Sequence, residues 1–167
     1  MLLKLKNLIF DLIFPQRCIG CGAADTTCCE LCFSTIKLLD VQECYLCRSP
    51  QEHGETCVFH ADFPTRLNGL LIACSYNANP LLKKSIHEMK YRRRPKGIGE
   101  KLAHLLAQTL TQYGTLALTY PLQEPPIIIP IPLHVSREKQ RGFNQTNLLA
   151  ESVASAFTPP LPVRHDL

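Results

Sequence analysis

The sequence predicts two parts: a small metal-stapled module, then an α/β domain built on a parallel sheet. Three observations predict this. Eight of the nine cysteines precede residue 62. The formal charge also changes there: residues 1–62 carry −3, residues 63–112 carry +7, and residues 113–167 are neutral. Beyond that point the apolar pattern reads β-α-α-β-α, the alternation expected of a parallel sheet flanked by helices. The expected organisation is a helix over 1–14, a metal module over 15–62 and an α/β domain over 63–167.

Composition removes several classes. The chain has 167 residues, 46% apolar and 19% charged, which is globular composition. No apolar run approaches the roughly 18 residues of a membrane span. No coiled-coil heptads and no internal repeat of roughly 20–50 residues are evident in the sequence.

At the N-terminus, Leu5, Leu8, Ile9, Leu12 and Ile13 share one helical face. Lys4, Lys6, Asn7 and Asp11 interrupt the stretch, and no small-residue cleavage site follows, unlike a secretory signal. An amphipathic helix docked on the protein is expected, with attachment to a membrane surface as the alternative. The absence of a signal or span makes the expected location cytoplasmic.

Residues 15–62 are too few and too cysteine-dense for a hydrophobic core alone. Chains below about 40–60 residues usually need metals or disulfides. Four pairs stand at one spacing: Cys18-x2-Cys21, Cys29-x2-Cys32, Cys44-x2-Cys47 and Cys57-x2-His60. Cys-x2-Cys lets two thiolates face one ion from a tight knuckle, and Gly20 and Gly22 give the first knuckle backbone freedom. The simplest grouping is Cys18, Cys21, Cys29 and Cys32, then Cys44, Cys47, Cys57 and His60. Cys28 competes with Cys29 on spacing, and knuckles can interleave. A disulfide framework is the alternative; it would want a secreted chain. The expectation is one or two structural Zn²⁺ ions, with shells too full to leave a catalytic position. If both sites fill, seven thiolates and two ions take the module from −3 to about −6. Affinity for anions is then expected in the second part.

In that second part, residues 67–76 read as a buried strand. Asn79 and Pro80 cap a helix carrying Leu82, Ile86 and Met89. Gly97-x-Gly99 reads as a break, and a second helix follows with Ile98, Leu102, Leu105, Leu106 and Leu110 on one face. Residues 127–132 are apolar enough to predict the interior of a sheet. A polar loop, 134–145, leads to a last helix bearing Leu149, Val153 and Phe157. Cys74, in an apolar run, reads as an inert core thiol.

Ligands of parallel sheets bind beyond the carboxyl ends of the strands. That points to 132–145, where Arg137, Arg141, Gly142, Asn144 and Gln145 precede a helix and suit a phosphate or pyrophosphate. The densest positive patch is Lys90, Arg92, Arg93 and Arg94; it reads as a solvated face or as a phosphate or nucleic-acid contact. Tyr91 could add a stacking surface. His87, His104 and His134 lack metal spacing. No nucleophile–base arrangement and no close carboxylate pair stands out in this part, so no catalytic residue is assigned.

Three stretches together resemble the ComF/GntX family of competence-associated proteins. They are the knuckles of residues 18–60, the run Ile86-His87-Glu88-Met89-Lys90-Tyr91-Arg92-Arg93, and the block Ile129-Pro130-Ile131-Pro132-Leu133 … Arg141-Gly142-Phe143-Asn144-Gln145 … Leu148-Leu149-Ala150. The resemblance implies a double zinc ribbon and a type I phosphoribosyltransferase-like fold, in which the loop after the Pro-Ile-Pro-Leu strand helps bind pyrophosphate. Arg141 is then the best anion contact. The family also carries an acidic, Thr/Gly-rich run of the form DDVvTTGaT, which these 167 residues lack. The resemblance therefore predicts a C-terminally shortened, incomplete domain. It would be inactive as this chain and would use Mg²⁺ with phosphoribosyl diphosphate only in a complete form. Implied partners are single-stranded DNA, DNA-uptake proteins or a separate C-terminal fragment completing the sheet. The alternative function is a zinc-ribbon module that contacts single-stranded DNA or a protein without catalysis.

Overall fold

The computed structural model describes residues 16–64, 67–91, 96–113 and 126–165. The expected N-terminal helix and Arg92, Arg93 and Arg94 lie outside them. The elements in order are α1 (Glu30–Phe33), β1 (Gln42–Glu43), β2 (Pro50–Gln51), a 3-10 turn (Val58–His60), α2 (Pro80–Tyr91), α3 (Lys96–Tyr113), α4 (Val135–Arg141) and α5 (Gln145–Ala154).

Helix α2 starts where its capping residues require. The Asn79 Oδ1 accepts from the backbone N–H of Leu81 (2.9 Å) and Leu82 (3.1 Å), and Pro80 takes the first turn. The Asn79 Nδ2 donates to the Thr35 carbonyl at 2.9 Å, so the cap also ties the helix to the cysteine-rich part.

Helix α3 runs through both glycines that read as a break. Gly99 serves packing: a Cβ there would stand 2.5 Å from Leu148 Cδ2, so its absence lets α5 approach. Helix α3 packs on α2 and more extensively on α5.

One apolar cluster joins the chain's two parts. Cys28 and Ile36 from the cysteine-rich segment are buried with Leu82, Met89, Ile98, Leu102 and Leu105 from α2 and α3. Ile19, Phe33 and Leu38 pack against the same cluster. Lys101 of α3 adds a polar tie, pairing with Glu30 while its ammonium lies 5.0 Å from the Phe33 ring centroid.

The sheet differs from expectation. Among the described residues the sole ladder is the antiparallel β1–β2 pair, with Gln42 opposite Gln51 and Glu43 opposite Pro50. Residues 67–76 form no strand and carry one antiparallel bridge, Glu55 to Gly69. Residues 127–132 carry one parallel bridge, Ile128 to Val163. Ile127, Ile129 and Ile131 are 45%, 46% and 76% exposed, so this run is not the interior of a sheet here. The physical reason is pairing: an apolar run becomes an interior strand only with a neighbour on both edges. Ile128 uses its N–H and C=O on Pro162 and Arg164, on one edge alone.

A side chain stands in for part of a ladder at residues 67–76. Gln42, 2% exposed, accepts from the Ile72 N–H (2.9 Å) and donates to the Ile72 carbonyl (3.1 Å).

The polar stretch expected as a loop contains a helix, α4. It has no buried residue, so no apolar face marks it in the sequence. His134 caps it, its Nδ1 accepting from the Ser136 N–H at 3.3 Å. Gly142, at φ 77°, ends it in a left-handed turn, with its N–H donating to the Glu138 carbonyl at 2.7 Å. The last helix ends at Ala154, short of Phe157.

Candidate metal centres and anion loop

The two halves of the cysteine-rich segment share one backbone device. In the first knuckle the Gly22 N–H donates to the Cys18 carbonyl (2.9 Å) and the Cys18 N–H to the Ala23 carbonyl (2.8 Å). In the second the Arg48 N–H donates to the Cys44 carbonyl (2.8 Å) and the Cys44 N–H to the Ser49 carbonyl (2.9 Å). Gly22 and Arg48 both turn left-handed, at φ 81° and 62°. The segment therefore does contain a repeat, one of geometry and cysteine position that the intervening residues conceal.

Each knuckle meets its second pair. The ligand atoms of Cys18, Cys21, Cys29 and Cys32 lie within 4.8 Å of one another, as do those of Cys44, Cys47, Cys57 and His60. All nine cysteines are free, so the disulfide alternative is set aside. Sulfur pairs stand 3.7 Å apart (Cys18–Cys29 and Cys21–Cys29) and 3.6 Å apart (Cys47–Cys57). A tetrahedron with Zn–S bonds of about 2.3 Å has edges of about 3.8 Å, whereas a disulfide is about 2.05 Å. The His60 Nδ1 faces the Cys57 sulfur at 3.1 Å. Both clusters fit structural zinc.

The thiol acidities follow from the same geometry. The backbone N–H groups of Cys21 and Cys29 hold the Cys18 thiol down at about 5, and those of Cys57 and Cys47 hold Cys44 at about 6. Cys32 is pushed up to about 12, chiefly by hydrogen bonds shared with Cys29 and Cys21. Four crowded sulfurs cannot all ionise unaided, which is the electrostatic case for a cation among them.

Cys28 is resolved by burial. It is 1% exposed in the apolar cluster, and burial pushes its thiol up to about 11. Cys29 faces the first cluster in its place. Cys74 also packs against the core, and burial raises its thiol.

The anion-loop residues converge only in part. Arg141, at the end of α4, donates from Nη1 to the Gln145 Oε1 at 3.1 Å. Its guanidinium carbon lies 5.2 Å from the Tyr91 ring centroid. Asn144 caps α5, its Oδ1 accepting from the Thr146 N–H at 3.0 Å. Asn144 and Gln145 are buried, and their side chains are engaged within the protein. Arg137 is exposed on α4, one turn before Arg141. Lys90 stands beside Tyr91 at the end of α2. Two contributors escaped the sequence reading: Tyr91 as a partner of Arg141, and Gln42 as a backbone clamp.

Two comparisons bear on this geometry. Residues 9–59 match the double zinc ribbon domain family. The chain is 29% identical to competence protein ComFC of Bacillus subtilis (strain 168), over 95% of this chain. It spans 66% of the length of that relative. No solved structure matches the chain significantly. Among the described residues, no helix is long and apolar enough to cross a membrane. Two paired-knuckle clusters, a double zinc ribbon match and likeness to ComFC along 95% of the sequence together support the resemblance to the ComF family.

Proposed function

We propose that this protein serves DNA uptake or use in competence, with two zinc ions bracing a phosphoribosyltransferase-like domain whose Arg141 loop binds a pyrophosphate-type anion. The competence assignment is supported by the likeness to ComFC. The anion reading is carried by one observation: Arg141, at the end of α4, is held against the start of α5, whose Thr146 hydroxyl donates to the Ile131 carbonyl of the run 127–132. A guanidinium beside a helix N-terminus offers directed donors and a favourable dipole.

The parallel pairing of Ile128 with Val163 supports the phosphoribosyltransferase-like reading of the domain. Mg²⁺ and phosphoribosyl diphosphate belong to a form that also carries the acidic Thr/Gly-rich run. Calorimetry with inorganic pyrophosphate tests the loop. Arg141→Ala should weaken binding about tenfold or more, the loss expected for hydrogen bonds to a charged group. Equal affinity in the variant would refute the anion reading.

A second reading, contact with single-stranded DNA, is favoured by the outer face of α2. Lys83, His87 and Tyr91 are exposed at four-residue steps, and the Lys83 ammonium lies 5.3 Å from the centroid of the exposed Tyr76 ring. Aromatic faces beside cations suit bases and phosphates. Binding should fall steeply with salt, and replacing Lys83 and Lys84 with alanine should flatten the log–log slope by about two. An unchanged slope would remove this face from the site.

A further inference from the structure

We propose that Tyr91 is a positioning residue for Arg141, making the end of α2 the second wall of the anion site; this rests on the anion reading above. The starting point is a stack of three side chains. The His87 and Tyr91 rings, one helical turn apart on α2, have centroids 4.7 Å apart at an interplanar angle of 44°. Arg141, from the end of α4, places its guanidinium 5.2 Å from the same Tyr91 ring.

The Tyr91 ring is thus steadied within its own helix before it meets the arginine. On the arginine's side, the Gln145 Oε1 accepts from Nη1 at 3.1 Å, and Gln145 is 7% exposed at the first position of α5. The guanidinium is therefore held by a ring and by a buried amide. These supports come from α2 and α5, elements 54 residues apart at Tyr91 and Gln145. Among the described residues, the other N–H groups of Arg141 have no acceptor, which leaves directed donors for a ligand.

Gly142 makes such support necessary. Its left-handed turn ends α4 immediately after Arg141, so the helix does not fix the arginine from both sides. A free arginine loses rotamer entropy when it grips an anion, and a guanidinium already resting on a ring has less to lose. Tyr91 is 61% exposed and so contributes little to the core. Its contact with Arg141 thus weighs more on binding than on folding. The ligand class is a small phosphoanion, read by charge and planar hydrogen bonding.

The test uses the full chain with zinc, inorganic pyrophosphate as the probe, and three variants: Tyr91→Leu, Tyr91→Phe and Arg141→Ala. Tyr91→Leu should weaken pyrophosphate binding about three- to fivefold, the range of an exposed cation–π contact. Tyr91→Phe keeps the ring and should restore it. NMR supplies a measurement without ligand: Arg141 side-chain resonances should be shifted by the ring current in the parent and in Tyr91→Phe, and not in Tyr91→Leu. If Arg141→Ala loses affinity and Tyr91→Leu does not, the positioning role is overturned and the anion reading stands. If Arg141→Ala has no effect, or the parent binds no pyrophosphate, the anion reading falls and takes this proposal with it. Equal losses in Tyr91→Phe and Tyr91→Leu would also overturn the role, because the ring would not be what matters.

Discussion

Removing zinc is expected to collapse the helical part of the protein together with the ribbon. Under reducing conditions, a strong chelator should abolish most helical ellipticity at 222 nm as metal is released. The reason is the shared cluster: Cys28 and Ile36 pack with Leu82, Met89, Ile98, Leu102 and Leu105. Structural zinc is worth about 10–16 kcal/mol in finger peptides, as much as the entire stability of a typical domain at about 5–15 kcal/mol. The two centres should differ. Cys32 packs against the cluster, whereas Cys47 is exposed beside the β1–β2 ribbon. Cys32→Ser should therefore cost global stability, and Cys47→Ser should cost mainly its own metal. Release of both ions with the helical signal intact would overturn the claim that the ribbon's core is shared.

Gly20→Ala should lose the first metal centre. A Cβ at Gly20 would stand 2.6 Å from the Cys32 Sγ and 3.0 Å from the Cys32 Cβ, with Leu81 Cδ1 at 3.3 Å behind. Overpacking alone costs about 1–3 kcal/mol. Here the atom that must move is a metal ligand, so the strain falls on the tetrahedron. Metal analysis should fall from two ions per chain to one, the number left by the second cluster. Gly22→Ala is the control. Its Cβ would meet nothing within 4 Å, but its φ of 81° strains an L side chain. That variant should lose about 1–2 kcal/mol, the cost of left-handed backbone, while keeping both metals. Two tightly bound ions in Gly20→Ala would refute the steric argument.

The two clusters that fit zinc were legible in the sequence because a knuckle is local. Two residues of spacing fix where two sulfurs point, whatever the rest of the chain does. The choice between Cys28 and Cys29 was not local: both spacings are acceptable, and burial under α2 and α3 decides it. The same distinction runs through the second part. Asn79-Pro80 announces α2 because a cap acts on the next three residues. Gly97 and Gly99 misread as a break because each faces a residue distant in sequence, Gly97 the Thr27 hydroxyl and Gly99 the Leu148 side chain. Helix α4 was hidden because, with no buried residue, it has no apolar period. The run 127–132 advertises a buried strand through its isoleucines, yet a strand is defined by its neighbours, and Ile128 has one bridge among the described residues. Arg141 was singled out by charge and position; its contact with Tyr91 joins residues 50 positions apart, beyond any local pattern.

The cluster shared by the ribbon and the helices also bears on how such a protein can change over evolutionary time. A module with its own core can be exchanged between proteins like a cassette. This one cannot: Asn79 caps α2 and grips Thr35, Lys101 reaches Glu30, and Ile36 fills space beside Leu82. A change on either side must be answered on the other. Ribbon and helices therefore constrain each other, and substitutions at Ile36 and Leu82, or at Gly20 and Leu81, should covary across descendants of this chain.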